Sequence, residues 1–221
     1  MSDIFEYLNN NTYPGRGILV GKYADEIVIA YFIMGRSENS RNRVFRKKDD
    51  VLYTKAYDES KLKDPSLIIY NAIREYKTKI IVTNGDQTDT IFEYLADDKD
   101  LKQALATREY EPDAPNYTPR ISALIDGNSY QISILKKENE ACARIFYDYE
   151  FIDGKAHFIS TYDHDGDPLP AFSSAPLEFS IEDDFEGFGQ KLWDSLNKDN
   201  RVSLYVRFGG KEKIFNRNEG D

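Results

Sequence analysis

Residues 17–34 read G-I-L-V-G-K-Y-A-D-E-I-V-I-A-Y-F-I-M. Two runs rich in β-branched and aromatic residues flank Ala24-Asp25, so the spacing predicts a β-hairpin over residues 17–35. The returning run is almost continuously apolar rather than alternating. A strand with that pattern is covered on both faces. Further strands are expected at Val51–Tyr57, Ser66–Tyr76, Lys79–Asn84, Ala141–Tyr149, Ala156–Tyr162 and Arg201–Phe208. Arg120–Ile125 and Tyr130–Leu135, joined through Asp126-Gly127-Asn128, form a second hairpin. Helical spacing of Ile91, Phe92 and Leu95 predicts a helix over Gln87–Ala96 capped by Asp86, with two more over Asp98–Thr107 and Ile181–Asn197. The proline-rich stretch Glu111–Pro119 and the stretch Asp163–Pro176 read as loops, and the polar tail from Gly209 reads as frayed. Roughly nine strands and three helices that do not alternate indicate an α+β protein with antiparallel sheets. Without repeats or a linker, residues 1–221 read as one domain.

Of the 221 residues, 40% are apolar and 14% aromatic, enough for a sizeable core. No apolar run approaches the roughly 18–20 residues of a membrane span. The polar, acidic stretch Met1–Asn11 does not resemble a signal peptide. A single cysteine, Cys142, excludes an internal disulfide framework and fits a reducing, cytoplasmic compartment. It lies in an apolar run and reads as a core residue.

The net charge is −10, yet Arg36–Lys48 holds six basic residues and one acidic one. The remainder carries 23 basic against 38 acidic residues, a field that repels long polyanions. A local basic patch still holds one small anion, because close charge pairs outweigh a screened distant field. A small phosphorylated ligand is therefore expected rather than nucleic acid.

Four stretches combine groups suited to such a ligand. The first, Arg36-Ser-Glu-Asn39-Ser-Arg41-Asn42-Arg43, has guanidinium forks for phosphate and amides for base or ribose edges. The second, Thr83-Asn84-Gly85-Asp86, places a glycine where a strand meets a helix, allowing close backbone approach. Tyr110-Glu111 through Asn116-Tyr117-Thr118-Pro119-Arg120 stiffens a loop whose ends carry a carboxylate and a guanidinium. Finally, Tyr13-Pro-Gly-Arg16-Gly presents an arginine from a tight turn. The bland alternatives are a solvated loop, an ordinary Asn-Gly turn, a plain connector and a strand-entry turn. Asp163-His-Asp165-Gly-Asp167 lacks the glycine and glutamate positions of a calcium loop, and two histidines with one cysteine do not make a His/Cys metal site. His157 lies within a strand pattern and reads as structural.

In this order the motifs resemble the archaeal-type IMP cyclohydrolase family. Tyr13-Pro-Gly-Arg-Gly resembles its Y-x-G-R segment, Arg36–Arg43 its S-R-S-x-x-N-R, and Pro65–Asn71 its N-P-x-I-x-Y-N. Thr83–Asp89 resembles T-N-G-x-x-T-D, and Tyr110-Glu111 with Thr118–Ile121 resembles Y-E-x-D and T-P-R-I. Asn116-Tyr117 stands in the reverse of the family's order, and no residue-level match extends beyond residue 130. The resemblance implies a four-layer αββα architecture like that of N-terminal-nucleophile hydrolases, without a processed nucleophile. It also implies ring closure of 5-formamidoimidazole-4-carboxamide ribonucleotide to inosine monophosphate with loss of water. It implies no metal or organic cofactor, and self-assembly into a homo-oligomer.

For that chemistry, Arg36, Arg41 or Arg43 is expected to hold the 5′-phosphate. Asn39, Asn42, Asn71 and Asn84 would orient carboxamide and ribose, with Gly85, Asn116 and Thr118 beside them. Glu111 is the expected proton carrier, with Tyr70 or Asp89 as second choice, and Arg120 or Arg16 stabilises the oxyanion or positions Glu111. The alternatives are a non-catalytic purine-nucleotide-binding or regulatory protein on the same scaffold, and a nucleic-acid module using residues 36–48.

Overall fold

The computed structural model describes residues 3–62, 65 and 67–220. It is an α+β protein with two antiparallel sheets. Strands β1 (Arg16–Tyr23) and β2 (Glu26–Met34) form the predicted hairpin, closed by Ala24 and Asp25 at φ 48° and 65°. Two consecutive left-handed residues match the right-handed twist of the strands they join. This hairpin lies centrally in a six-stranded sheet of order β11-β10-β1-β2-β12-β13. Its other strands are β10 (Lys155–Ser160), β11 (Leu177–Ser180), β12 (Arg201–Phe208) and β13 (Lys211–Asn216). The second sheet runs in chain order through β3 (Arg43–Lys48), β4 (Val51–Ala56), β5 (Asn71–Tyr76), β6 (Lys79–Thr83), β7 (Arg120–Asp126), β8 (Ser129–Glu138) and β9 (Ala141–Glu150).

The pleat explains the unbroken apolar run of β2. Ile29, Tyr31 and Ile33 join Ile18 and Val20 in a core shared with Phe45, Leu52, Val82, Ile121 and Ile132 of the second sheet. Val28, Ala30, Phe32 and Met34 point the other way. They pack with Ile4 and Leu8 of helix α1 (Ile4–Asn9) and with Phe188, Leu192 and Trp193 of helix α5 (Phe185–Ser195). Each buried large side chain contributes about 1.5–3 kcal/mol. On the second sheet, Ile81, Leu124 and Leu135 pack under Ile91, Leu101 and Leu105 of helices α3 (Gln87–Ala96) and α4 (Leu101–Ala106). Asn216 ties the sheets together: it accepts from Phe45 N at 2.8 Å, donates to Phe45 O at 3.2 Å and accepts from Ser203 Oγ at 2.7 Å.

Several expectations change. Thirteen strands stand among the described residues, not nine. Beyond Gly209, Lys211–Asn216 is β13, paired with β12 through Phe208↔Lys211, rather than frayed. Its charged residues suit an edge strand that faces water. Residues 67–68 turn, with Ile68 N and Ile69 N bonded to Pro65 O, and the strand begins only at Asn71; Ser66 lies outside the described residues. Residues 181–184 stay outside α5, which begins behind Asp184, whose side chain caps Gly187 N. Asp86 sits in helical conformation and makes no cap bond. It pairs instead with Arg108 and Arg120. The cap on α4 is Asp100, in a reciprocal box with Gln103. Cys142 is half-buried on the edge strand β9, packed against the core under α3 and α4 rather than inside it. None of the described helices is long and apolar enough to cross a membrane.

Candidate active site

One end of the two sheets gathers the start of β1, the end of β2, the start of β3, the loop before β7 and the chain leaving β10. Between them lies a cleft of about 360 Å³, in the size range of small-molecule sites, roughly 300–1,000 Å³. Arg16, Arg43, Glu111, Asp113, Asn116 and Thr118 give it a polar wall, while Met34, Leu67, Ile68 and Leu169 supply apolar surface. Tyr13, Arg36, Ser37, Asn39, Ser40 and Tyr162 complete it.

The arginine stretch is folded by helix α2 (Glu38–Arg41), a single turn closed by a reciprocal Ser37–Ser40 box. Arg43 follows as the first residue of β3 and is 1% exposed. Its Nε donates to Ser40 O at 2.8 Å and its Nη2 to Met34 O at 3.3 Å. Its Nη1 is buried with no hydrogen-bond partner. Among the described residues no carboxylate pairs with it. Burial lowers its pKa from the usual arginine range, but a guanidinium remains a cation. Arg43 is thus a buried cation with an idle donor lining the cleft, a group suited to an anion.

Gly15, at φ +82°, makes the entry to β1 possible. A Cβ there would lie 2.2 Å from Thr161 Oγ1 and 2.6 Å from the Tyr162 ring, closer than real contacts allow. Arg16 then enters the cleft, its N–H bonded to Thr161 Oγ1 at 3.1 Å and its Nη2 3.4 Å from Glu111 Oε2. Glu111 is 1% exposed. Burial pushes its carboxyl above the ordinary range, while the Arg16 and Arg120 cations pull it back. A carboxyl tuned upward yet facing a cation can both take and return a proton.

The loop carrying Glu111 is held at several points. Glu111 N donates to Thr118 O at 2.8 Å, and Asp113 Oδ1 accepts from Thr118 N at 2.6 Å. Asn84, fully buried, donates to Pro119 O at 2.9 Å and accepts from Ile121 N at 2.9 Å. Gly85 lets Arg120 approach, since a Cβ would lie 2.6 Å from Arg120 Nη1. Arg120 bonds Asp86 at 2.6 Å and Gln87 Oε1 at 2.7 Å. Asn84, Gly85 and Arg120 thus brace the loop from behind and do not line the cleft.

Of the other expected residues, Arg41, Asn42, Tyr70, Asn71 and Asp89 lie outside the cleft, while Arg36 lines it. Arg41 bonds Gly35 O and Asn200, and Asn42 brackets the backbone of Asp58. Asn71 and Arg74 hold Asp89 at 2.9 and 2.7 Å, outside the cleft. Tyr70 is buried, its hydroxyl 2.7 Å from that of Tyr31. Its phenol is a principal electrostatic neighbour of Arg43. Arg36 pairs with Asp165 at 2.8 Å and lies 5.0 Å over the Tyr13 ring. Sequence reasoning did not single out Tyr162, Leu169, Asp113 or Ser37 as site residues. Tyr162 closes the expected strand Ala156–Tyr162, and Asp113 lies within the quoted loop; those positions were the available signal.

The family model of IMP cyclohydrolase-like proteins matches residues 13–213. The chain belongs to this family. The match to the IMP cyclohydrolase-like proteins thus runs well past residue 130, where motif reading ended. Relatives named IMP cyclohydrolase include that of Methanocaldococcus jannaschii, 33% identical over 156 residues, covering 68% of this chain and 73% of the relative. That of Methanosphaera stadtmanae is 31% identical over 159 residues, 69% and 74% of the two chains. That of Haloquadratum walsbyi is 28% identical over 187 residues, 82% and 84%.

Proposed function

We propose that this chain is an IMP cyclohydrolase that closes 5-formamidoimidazole-4-carboxamide ribonucleotide to inosine monophosphate in the cleft between Arg16, Arg43 and Glu111. One observation carries the assignment to this cleft: the buried guanidinium of Arg43, its Nη1 without a partner, lines the same cleft as the buried Arg16–Glu111 pair. The substrate is a monophosphate that must move protons while it cyclises, and these groups answer both needs.

The carboxamide nitrogen attacks the formyl carbon, forming the C–N bond, and the formyl oxygen becomes a hydroxyl that leaves as water. That water carries one hydrogen from the carboxamide nitrogen and one from the formamido nitrogen. The reactants are already tethered, so the cleft's entropic task is to align two ring substituents. Glu111 takes the carboxamide proton and returns it to the departing hydroxyl. Arg16, bonded to Glu111, faces the oxygen that gains negative charge. Arg43 holds the phosphate, with Arg36 at the rim and Asn39 and Asn116 beside the ribose. Arg120 acts on Glu111 from behind the loop, and Tyr70 is held by its bond to Tyr31.

The packing of α1 and α5 on one sheet and α3 and α4 on the other supports a four-layer αββα sandwich, one domain over residues 1–221. Half of the six basic residues in the stretch are met by carboxylates, Arg36 by Asp165, Arg46 by Glu219 and Lys47 by Glu212, which argues against a nucleic-acid surface. The ten-residue β9 pairs on one side only, an edge open to self-association into a homo-oligomer. The single cysteine supports a cytoplasmic location. The deciding test is turnover. Purified protein mixed with the formamido substrate should produce the absorbance of the closed purine ring, and Glu111→Gln should lower kcat by about 10²-fold or more. Absence of product with the unaltered protein refutes the assignment.

A further inference from the structure

We infer that Tyr162 is a specificity-determining residue whose hydroxyl oxygen is fixed as a hydrogen-bond acceptor for an amide N–H of the bound substrate. The inference rests on the cyclohydrolase reading above. It follows from a chain of three groups whose proton directions are set from one end.

That end is Asp113. Its carboxylate accepts Thr118 N–H at one oxygen and the Thr118 hydroxyl at the other. A carboxylate only accepts, so the Thr118 hydroxyl must spend its one proton there. Thr118 Oγ1 is also bonded to Tyr162 Oη. With its proton committed, Thr118 serves that contact as acceptor, and the phenol must donate. The Tyr162 oxygen then turns only lone pairs to the cleft, which both Tyr162 and Thr118 line. The phenol stays protonated, because burial raises its pKa to about 12.

The surroundings favour this fixed polarity. Tyr162 is 2% exposed and Thr118 0%, so water does not compete for the chain. The Tyr13 ring stacks on Tyr162 at 6.1 Å and restrains its plane. Gly15 lets the ring sit against the backbone. The polar wall carries both polarities, Arg16 and Arg43 donating and the Glu111 and Asp113 carboxylates accepting. An acceptor here complements the nitrogens that close the ring, both of which carry N–H groups before cyclisation. A site built to accept from N–H discriminates against analogues with an ether or ester oxygen at that position, because two lone-pair surfaces would then face each other.

The test uses Tyr162→Phe, Thr118→Val, Thr118→Ser and the double variant Tyr162→Phe/Thr118→Val, with kcat and KM measured on the formamido substrate. Tyr162→Phe should raise KM about 5- to 10-fold, the loss of one neutral hydrogen bond. Thr118→Val frees the Tyr162 proton to point into the cleft and should weaken binding by a similar factor. Because both changes act through one acceptor, the double variant should be no worse than the poorer single variant. Thr118→Ser keeps the hydroxyl and should restore wild-type KM, which a purely packing role would not. Wild-type KM in Tyr162→Phe, multiplicative losses in the double variant, or a Thr118→Ser variant as poor as Thr118→Val would each overturn the inference. Those outcomes with an active wild-type protein remove Tyr162 alone. No turnover by the wild-type protein removes the inference together with the assigned reaction.

Discussion

Replacing Arg43 by methionine tests the anion site and the cost of keeping it. The guanidinium is 1% exposed, gives two bonds to backbone carbonyls and leaves Nη1 idle. Methionine has similar length and removes both the two bonds and the buried charge. Each bond from a charged donor contributes about 1.5–3 kcal/mol, and burying an ion costs several kcal/mol. The two effects oppose each other, so ligand-free stability should change by no more than about 2 kcal/mol. For a chain of 221 residues, that corresponds to roughly 4–8 °C in Tm. Binding has no such compensation. Losing a charge-assisted contact to phosphate should raise KM about 10- to 100-fold. Inosine monophosphate at about 100 times its Kd stabilises the wild-type protein by roughly 2.7 kcal/mol. The same concentration should stabilise Arg43→Met by only about 0.4–1.4 kcal/mol. Steady-state kinetics and thermal melts with and without the nucleotide read both quantities. A variant with wild-type KM and an undiminished ligand-induced rise in Tm would show that the phosphate lies elsewhere.

The pH dependence of kcat should report Glu111. Burial holds its carboxyl above the ordinary range, so the proton-accepting form is lost as pH falls through that raised value, and the acid limb should lie above that of a solvated glutamate. Arg16→Gln removes a cation that favours the carboxylate and should move the limb to still higher pH; an unmoved limb would separate Glu111 from the titration. Gly15→Ala should destabilise the protein by about 1–3 kcal/mol for the left-handed backbone alone. The contact with Thr161 and the Tyr162 ring adds to that loss, read in a denaturant melt. A melt unchanged from wild type would mean the turn relaxes freely.

Much of this fold is legible along the chain because burial is periodic. The run from Glu26 to Met34 declared two covered faces, and both have packed neighbours. Helix Gln87–Ala96 was readable from Ile91 and Leu95 at helical spacing. Strand β3 was not, because Arg43 and Arg46 occupy it for reasons of charge and give no apolar alternation. Strand β13 hid for the related reason that Lys211, Glu212 and Lys213 are exposed on a sheet edge. Arg16, Glu111 and Thr118 announced themselves by residue type beside glycine or proline, and Arg43 by its place in a run of arginines and asparagines. Asn84, Asn71 and Asp89 carry the same types, yet the chain turns them to internal bonds. Only three-dimensional partners separate an amide that braces a loop from one that faces a ligand. Tyr162 belonged to no unusual cluster, since its importance comes from Thr118, 44 residues away.

Asn216 acts from across the interface between the sheets. It grips the backbone of Phe45, two residues beyond Arg43, from the last strand of the opposite sheet. The placement of the Arg43 guanidinium therefore depends on β13, which contributes nothing to the lining of the cleft. Trimming that stretch, or fusing a bulky partner beside it, would be felt as poorer catalysis long before the sandwich came apart.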